Sequence, residues 1–515
     1  MHGFEAILIV MAAAVAMSLL AQKLNAPFPP FVALAGAGAA FLPFAPEITL
    51  DPQLVLALFV APVLLDAAFD SSLRDLRRNV VPIAFLSLAA VAVTTLAVAF
   101  TAKALIPALP WAAAVALGAI VAPPDAAAAT AVLRIIPAPF RIRTVLEGES
   151  LFNDASALLT YRIAVAAVLT TMPGGWQLAG SVALATVGSV LFGLVAAWTQ
   201  ARLTHLLTEA PPSIVLQFIG SFGVWIAAER LGLSAIVTIV VFALTLARLA
   251  ARSPAVIRVP AYAVWETTVF ALNVLAFMLV GLQIAPIWRD LQPVQREEYA
   301  AFALIILLVC VVVRLAWVMG YNTVVQVKNR LFGVHLPAGA SPPTFASGLV
   351  VGWAGMRGVV SLAAAYALPA GFPFRDVILL AVFAVVMGTL VVQGLTLGPL
   401  IRLLGLGNDG VLDGEIRKAR AAVTDAAIDH VSGRDDAPAK RLKAEYHERR
   451  EALKTAGEGD GRVTLPVDDL AEDVLRSKRE RLLAMRLNGE ISDAAYYQIE
   501  EELDRRELAL TPVVR

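Results

Sequence analysis

Residues 122–125 read Ala122-Pro123-Pro124-Asp125, and residues 147–154 read Glu147-Gly148-Glu149-Ser150-Leu151-Phe152-Asn153-Asp154. Both stretches lie inside long apolar runs, 110–133 and 143–171. Two consecutive prolines remove backbone donors and break a helix. At membrane depth a broken helix is tolerated where it lines a cavity or is buried in protein, and its freed carbonyls and half-helix ends are ready ion ligands. Asp125 stands where a following half-helix begins, so it reads first as an N-cap. Direct ion contact is the other reading. On a helix Ser150 and Asp154 are i and i+4, stacking a hydroxyl and a carboxylate on one face, with Glu149 and Asn153 beside them. Oxygen ligands in that arrangement suit a hard cation, and an aspartate also carries protons. The plainer alternative is a polar network that only holds a helix bundle together.

Composition sets the solvent. Of 515 residues, 59% are hydrophobic and 16% charged, with a mean hydropathy of +0.75. A soluble chain could not cover that apolar surface, so lipid is the partner. The net charge of +0 argues against nucleic acid. The single cysteine, Cys310, lies in an apolar run and reads as a small buried hydrophobe. The first apolar run, from about Phe4, has Glu5 before it and Lys23 after it, which reads as a retained span rather than a signal peptide.

A span needs about 20 mostly apolar residues. That rule gives about thirteen, near 4–22, 28–46, 50–70, 80–104, 110–133, 143–171, 177–203, 213–229, 231–250, 261–286, 298–327, 344–369 and 376–405. Lysine and arginine alternate between the connections. Lys23, Arg74, Arg77, Arg78, Arg134, Arg141, Arg143, Arg202, Arg248, Arg252, Arg258, Lys328 and Arg330 fall in one set; Lys103, Arg230, Arg289, Arg296 and Arg375 fall in the other. The richer set is cytoplasmic by the positive-inside rule, which puts the amino terminus outside and the tail inside. Residues 1–407 therefore read as a transmembrane domain and 408–515 as a cytoplasmic helical tail. In the tail, Leu475, Leu482 and Leu487 precede a break at Asn488-Gly489, and Ser492 caps a second helix with Ile499 and Leu503, giving a hairpin. The segment near 431–465 reads as a linker.

Ionisable groups inside spans are functional hypotheses by default. They are Asp66, Asp125, Glu149, Asp154, Arg162, Glu266, Arg314 and Arg357. At about 1.5 Å per residue, Asp66, Asp125 and the 149–154 motif share one layer on the cytoplasmic side of the middle. In the twelfth span Gly352, Gly355 and Gly358 surround Arg357, which means close packing or a second break. Two broken helices in corresponding positions point to an inverted-repeat transporter, spans 1–6 repeated in 8–13. A buried Arg357 needs an anion; Glu149 is the preferred partner and Asp125 the alternative. Arg162, Glu266 and Arg314 are expected to make structural pairs.

The segment Gly148 to Asp154, Asp125 in its proline-broken span, Leu64-Leu65-Asp66-Ala67 and Gly355-Met356-Arg357-Gly358 occur in order across the membrane region. Together they resemble the sodium/proton exchanger branch of the monovalent cation/proton antiporters, of bacterial type. The resemblance implies an all-α polytopic fold of thirteen spans, two crossed unwound helices at spans 5 and 12, separate dimer and core bundles, and a homodimer in the bacterial inner membrane. It implies Asp154 as the ion- and proton-binding carboxylate, Ser150 and a carbonyl near Pro124 as ligands, Asp66 acting through Asn153 or through water, and a structural Glu149–Arg357 bridge. An Asn-Asp pair resembles the electroneutral branch. In the family a hydroxyl residue often precedes the span-5 aspartate and a proline follows it; here Pro124 precedes and Ala126 follows. A carboxylate at that depth needs a proton or a cation to neutralise it, so one site holds either but not both, with Asp66 adding to the negative field. No cofactor or resident metal is expected, the cation being cargo. Potassium/proton exchange is the alternative and a cation channel a weaker one, since polar residues concentrate at one layer. His2, His205, His335, His430 and His447 lie at ends, loops or tail, which disfavours a membrane hydrolase. The sequence carries no phosphate-binding loop of the Gly-x-x-x-x-Gly-Lys type.

Overall fold

The computed structural model describes residues 2–24, 26–42, 52–136, 138–169, 175–250, 254–290, 296–332, 344–407, 409–434, 436–455, 466–488 and 490–510. Among these residues there are helices and connections but no strand. The chain divides into two compact units, Met1–Gly407 and Asn408–Arg515.

In the first unit seven helices among the described residues are long and apolar enough to cross a membrane: Val80–Leu105, Phe140–Leu169, Ala183–Thr204, Ala210–Arg230, Ala255–Arg289, Arg296–Leu331 and Arg375–Leu403. Shorter apolar helices stand between them, at Leu8–Lys23, Phe28–Ala39, Leu56–Phe69, Trp111–Val121 and Ala235–Leu249. Large exposed side chains such as Leu184, Leu191 and Trp198 cover the outside, as lipid demands and water would not allow.

Two spans are each divided into a pair of short helices because the backbone breaks. Trp111–Val121 stops before Pro123-Pro124, and Ala126–Ile135 starts after Asp125. Phe345–Trp353 stops before Gly355, and Val359–Tyr366 starts after Gly358. The glycines serve both of the purposes that the sequence left open. A Cβ on Gly355 would overlap the Arg314 side chain, and one on Gly358 would overlap the Asp125 carboxylate. The Cβ-free backbone therefore unwinds and admits two charged groups in the same five residues.

The helices sort into two bundles. Gly175–Thr204, Ala210–Arg230 and Ala235–Ala250 all pack on one another, and Phe28–Ala39 packs closely on Ala255–Leu282. Val91–Leu105, the two broken spans, Phe140–Leu169, Arg296–Phe332 and Arg375–Gly388 pack around one another. Between the bundles lies an apolar face. Leu151, Ala155 and Leu158 of the Phe140–Leu169 helix share a cluster there with Trp225, Ala228 and Ile236.

The second unit differs from the linker reading. In the 431–465 stretch expected to be open, helix Ala437–Thr455 forms and packs on Val411–Ser432; residues 456–465 lie outside the described residues. The 437–455 segment is so charged that its apolar stripe is only weakly visible in sequence. Farther on, Pro466–Leu487 and Asp493–Leu510 form a hairpin around Leu475, Leu482 and Leu503. The Ser492 hydroxyl accepts the Ala495 N–H at 3.3 Å.

The Phe28–Ala39 and Ala255–Leu282 helices meet where a Cβ on Gly281 would overlap the Ala33 carbonyl oxygen, whereas Gly38 faces open space. Gly281→Val is expected to cost about 1–3 kcal/mol and to lower the thermal midpoint in detergent. Gly38→Ala should leave it unchanged. Equal midpoints for both variants would contradict this packing.

Candidate functional site

The Phe140–Leu169 helix, called the motif helix below, carries Glu149, Ser150, Asn153 and Asp154, all four buried. The 3.6-residue repeat puts them on one side, facing the break at Ala122–Asp125. Asn153 Nδ2 donates to the Pro124 carbonyl at 2.8 Å. Asn153 Oδ1 has no hydrogen-bond partner among the described residues. A carbonyl that the proline break releases is thus engaged by the motif helix, and the opposite end of the same amide is left as an oxygen acceptor. The two breaks also touch each other, because Asp125 N–H donates to Met356 O at 2.6 Å. A small cavity bordered by Pro124, Asp125, Glu149, Ser150 and Arg314 opens at this meeting point.

Asp66 is half-buried on helix Ala61–Asp70, which packs on the motif helix. Two residues past Asp154, the Ser156 hydroxyl donates to the Ser87 carbonyl at 2.8 Å. Ser87 belongs to a π-helical turn, Phe85–Ala90. Such turns leave carbonyls outside the regular ladder.

Glu149 pairs with Arg314, which corrects the expected bridge to Arg357. Arg314 Nη1 and Nη2 donate to Glu149 Oε1 and Oε2 at 2.6 and 2.9 Å, a bidentate fork that is wholly buried. The same guanidinium donates to Gly352 O at 3.3 Å and Val351 O at 3.2 Å. Arg357 is completely buried and binds backbone instead. It donates to Val121 O at 3.0 Å, to Ala122 O at 3.4 Å and to Gly355 O, while its own N–H donates to Thr389 Oγ1 at 3.0 Å. The premise that a buried arginine needs a carboxylate failed because a broken helix supplies carbonyls with a partial negative charge.

The same arrangement recurs at all four half-helices. Trp111–Val121 ends on Arg357 and Phe345–Trp353 ends on Arg314. Ala126–Ile135 is met at Leu133 O by Arg143 Nη2 at 2.9 Å. Val359–Tyr366 is met at Tyr366 O and Leu368 O by Arg375, at 3.4 and 3.1 Å. Each C-terminus, the negative end of a helix dipole, therefore faces a guanidinium. Two of the opposite ends share one carboxylate, since Asp125 precedes Ala126–Ile135 and lies against Gly358 at the start of Val359–Tyr366. Arg143 and Arg375 had looked like topology-setting loop charges. Their capping role leaves only a positional trace, each lying in the first turn of the helix that follows a broken span. Arg162 pairs with Glu229 at 3.7 Å, and Glu266, expected to be paired, has an exposed side chain.

Two broken spans that meet in a helical bundle, beside buried carboxylates, define an ion-coupled secondary transporter. The sequence profile described as "Sodium/hydrogen exchanger, transmembrane" matches residues 8–403; the chain belongs to that family of integral membrane transporters. It is similar to an uncharacterized Na+/H+ exchanger of Mycobacterium tuberculosis (strain H37Rv), 29% identical over 544 residues and covering 99% of this chain and 96% of that protein. It is also similar to the low-affinity Na+/H+ antiporter NhaS1 of Synechocystis, 28% identical, covering 79% of this chain and 76% of that one. The fold matches the sodium proton antiporter MjNhaP1 of Methanocaldococcus jannaschii with a TM-score of 0.59 at 18% identity, over 79% of this chain and all of that one (100%).

Removing one partner of a buried pair costs about 3–5 kcal/mol because the other charge is stranded. Arg314→Gln should therefore destabilise the protein strongly, and adding Glu149→Gln should recover part of the loss. Glu149→Gln combined with Arg357→Gln should bring no such recovery. Thermal unfolding of the singles and both doubles measures the two coupling energies, and a larger recovery with Arg357 would reverse the assignment.

Proposed function

We propose that the protein exchanges sodium for protons, with Asp154 as the carboxylate that holds one or the other. The observation that carries this reading is the buried Asp154, one helical turn from Ser150, on a face turned toward the Pro123–Asp125 break. A carboxylate in that setting needs a neutralising partner. A proton supplies it without ligands. A cation needs oxygens, for which the candidates are Ser150 Oγ, the unpartnered Asn153 Oδ1 and backbone carbonyls of the break. Asp66 is assigned to the approach of the cation. Pro124 and Ala126 flank Asp125 in place of the hydroxyl residue and proline often found there, so selectivity rests on fewer side-chain oxygens. One relative, from Bacillus subtilis, bears the name sodium, potassium, lithium and rubidium/H+ antiporter, which makes the other alkali cations the natural competitors to test.

The buried Glu149–Arg314 fork and the capping arginines keep their charge through the cycle, because each is held by hydrogen bonds that a proton change would break. Asp154 is then the titrating group, and Asn153 cannot titrate. Exchange of one proton for one cation leaves the loaded site with the same charge, so the transport is electroneutral. The assigned frame is a homodimer of thirteen-span subunits in a bacterial inner membrane, amino terminus outside and tail in the cytoplasm. Alternating access comes from movement of the bundle with the broken spans past its neighbour.

Asp154→Asn should abolish cation-dependent proton flux in proteoliposomes while the thermal midpoint stays near that of the parent. Retained flux in the folded variant would remove Asp154 from its role. For the stoichiometry, sodium-driven proton flux is measured at two potentials set by a potassium gradient and valinomycin. About 100 mV acts on each net charge with about 2.3 kcal/mol, so a voltage-dependent reversal point would show that a second group, with Asp66 first in line, carries charge.

A further inference from the structure

The Glu149–Arg314 and Arg162–Glu229 ion pairs both involve the motif helix, and they are built differently. Glu149–Arg314 is bidentate, buried and internal to one bundle. Arg162–Glu229 is a single contact at 3.7 Å, with the arginine side chain 55% exposed and the glutamate 28%. It also crosses a boundary. Arg162 lies about two turns beyond Asp154 on the motif helix, whereas Glu229 lies in the last turn of Ala210–Arg230, in the other bundle. One turn before Arg162 is Leu158, and immediately before Glu229 is Ala228, both in the apolar cluster between the bundles. The charges thus sit at the rim of the face along which the bundles must slip. This is the end of the motif helix away from Arg141 and Arg143.

We propose that Arg162 and Glu229 form a latch that is closed in the conformation seen here and holds that end of the cation path shut. The inference rests on the alternating-access reading above. Closure at one end and access at the other are a single equilibrium. A displacement of about one helical turn, roughly 5 Å, separates a contact that is already longer than a hydrogen bond. Neither side chain is fully enclosed in the closed contact, and a single contact longer than a hydrogen bond is weak, so the latch biases the equilibrium without trapping it. A pair of this exposure shifts a two-state population by about two- to fivefold. That range is enough to set which side loads more readily and too little to stop turnover.

The test compares half-saturating sodium concentrations in right-side-out and inside-out membrane vesicles. Arg162→Gln and Glu229→Gln should each lower the value on the side that the Arg162 end faces and raise it on the other, changing the ratio of the two by about two- to fivefold. The double variant should change it no further than a single one. The exchange Arg162→Glu with Glu229→Arg should restore the parent ratio, and it supplies a charge-balanced protein if a single variant folds poorly. Shifts that add in the double variant, a swap that does not restore the ratio, or a ratio that never moves would each overturn the latch. Absence of cation–proton exchange in the parent vesicles would instead overturn the reading beneath it.

Discussion

A peptide group in hydrocarbon must be hydrogen-bonded, and this structure breaks two helices in the middle of its membrane unit. Everything near the site follows from satisfying the broken ends. Four guanidinium groups meet four C-termini, and one carboxylate serves two N-termini. Each unsatisfied group would cost several kcal/mol, so these arginines belong to the backbone as much as to the side-chain inventory. The arrangement also explains why so many charges survive in so apolar a chain. They neutralise partial charges that the breaks create, and the buried Glu149 is held by the full opposite charge of Arg314.

Parts of this were legible in the sequence. Pro123-Pro124 marks its break because a proline pair fits the first turn of a helix, as in Phe28–Ala39 and Ala210–Arg230, but not the interior of a long apolar run. The i, i+4 spacing of Ser150 and Asp154 puts them on a common face whatever the rest of the fold does. The second break was harder to read, since Gly352, Gly355 and Gly358 are equally good signs of close packing; the structure uses the same glycines for unwinding and for admitting Arg314 and Asp125. The pairing of Glu149 was not legible at all. Arg314 and Arg357 are both single arginines in apolar spans, and only the three-dimensional crossing decides which one meets the acid and which one meets carbonyls.

The remaining misreading has a different physical origin. The 431–465 segment lacks the apolar periodicity that identifies a packed helix, yet Ala437–Thr455 is helical and packs on Val411–Ser432. Charged side chains on long stems supply part of that support, as in the Arg450 fork to Asp425 at 2.6 and 3.1 Å. Sequence periodicity tracks burial of apolar surface, and a helix secured partly by ion pairs is weakly visible to it.

Arg314 has one further consequence. Its guanidinium is carried by one helix, grips the motif helix through Glu149 and holds the end of Phe345–Trp353, while Arg357 ties the second break to the first. Directional bonds resist shear, and here they cross-link four elements into a stiff block. The face toward the other bundle is built from leucine, alanine, isoleucine and tryptophan side chains, whose attraction depends little on register. A stiff body bounded by such a surface is free to shift as a whole rather than to deform. The hydrogen bonds that join the two breaks to the motif helix can therefore persist through a shift along that surface.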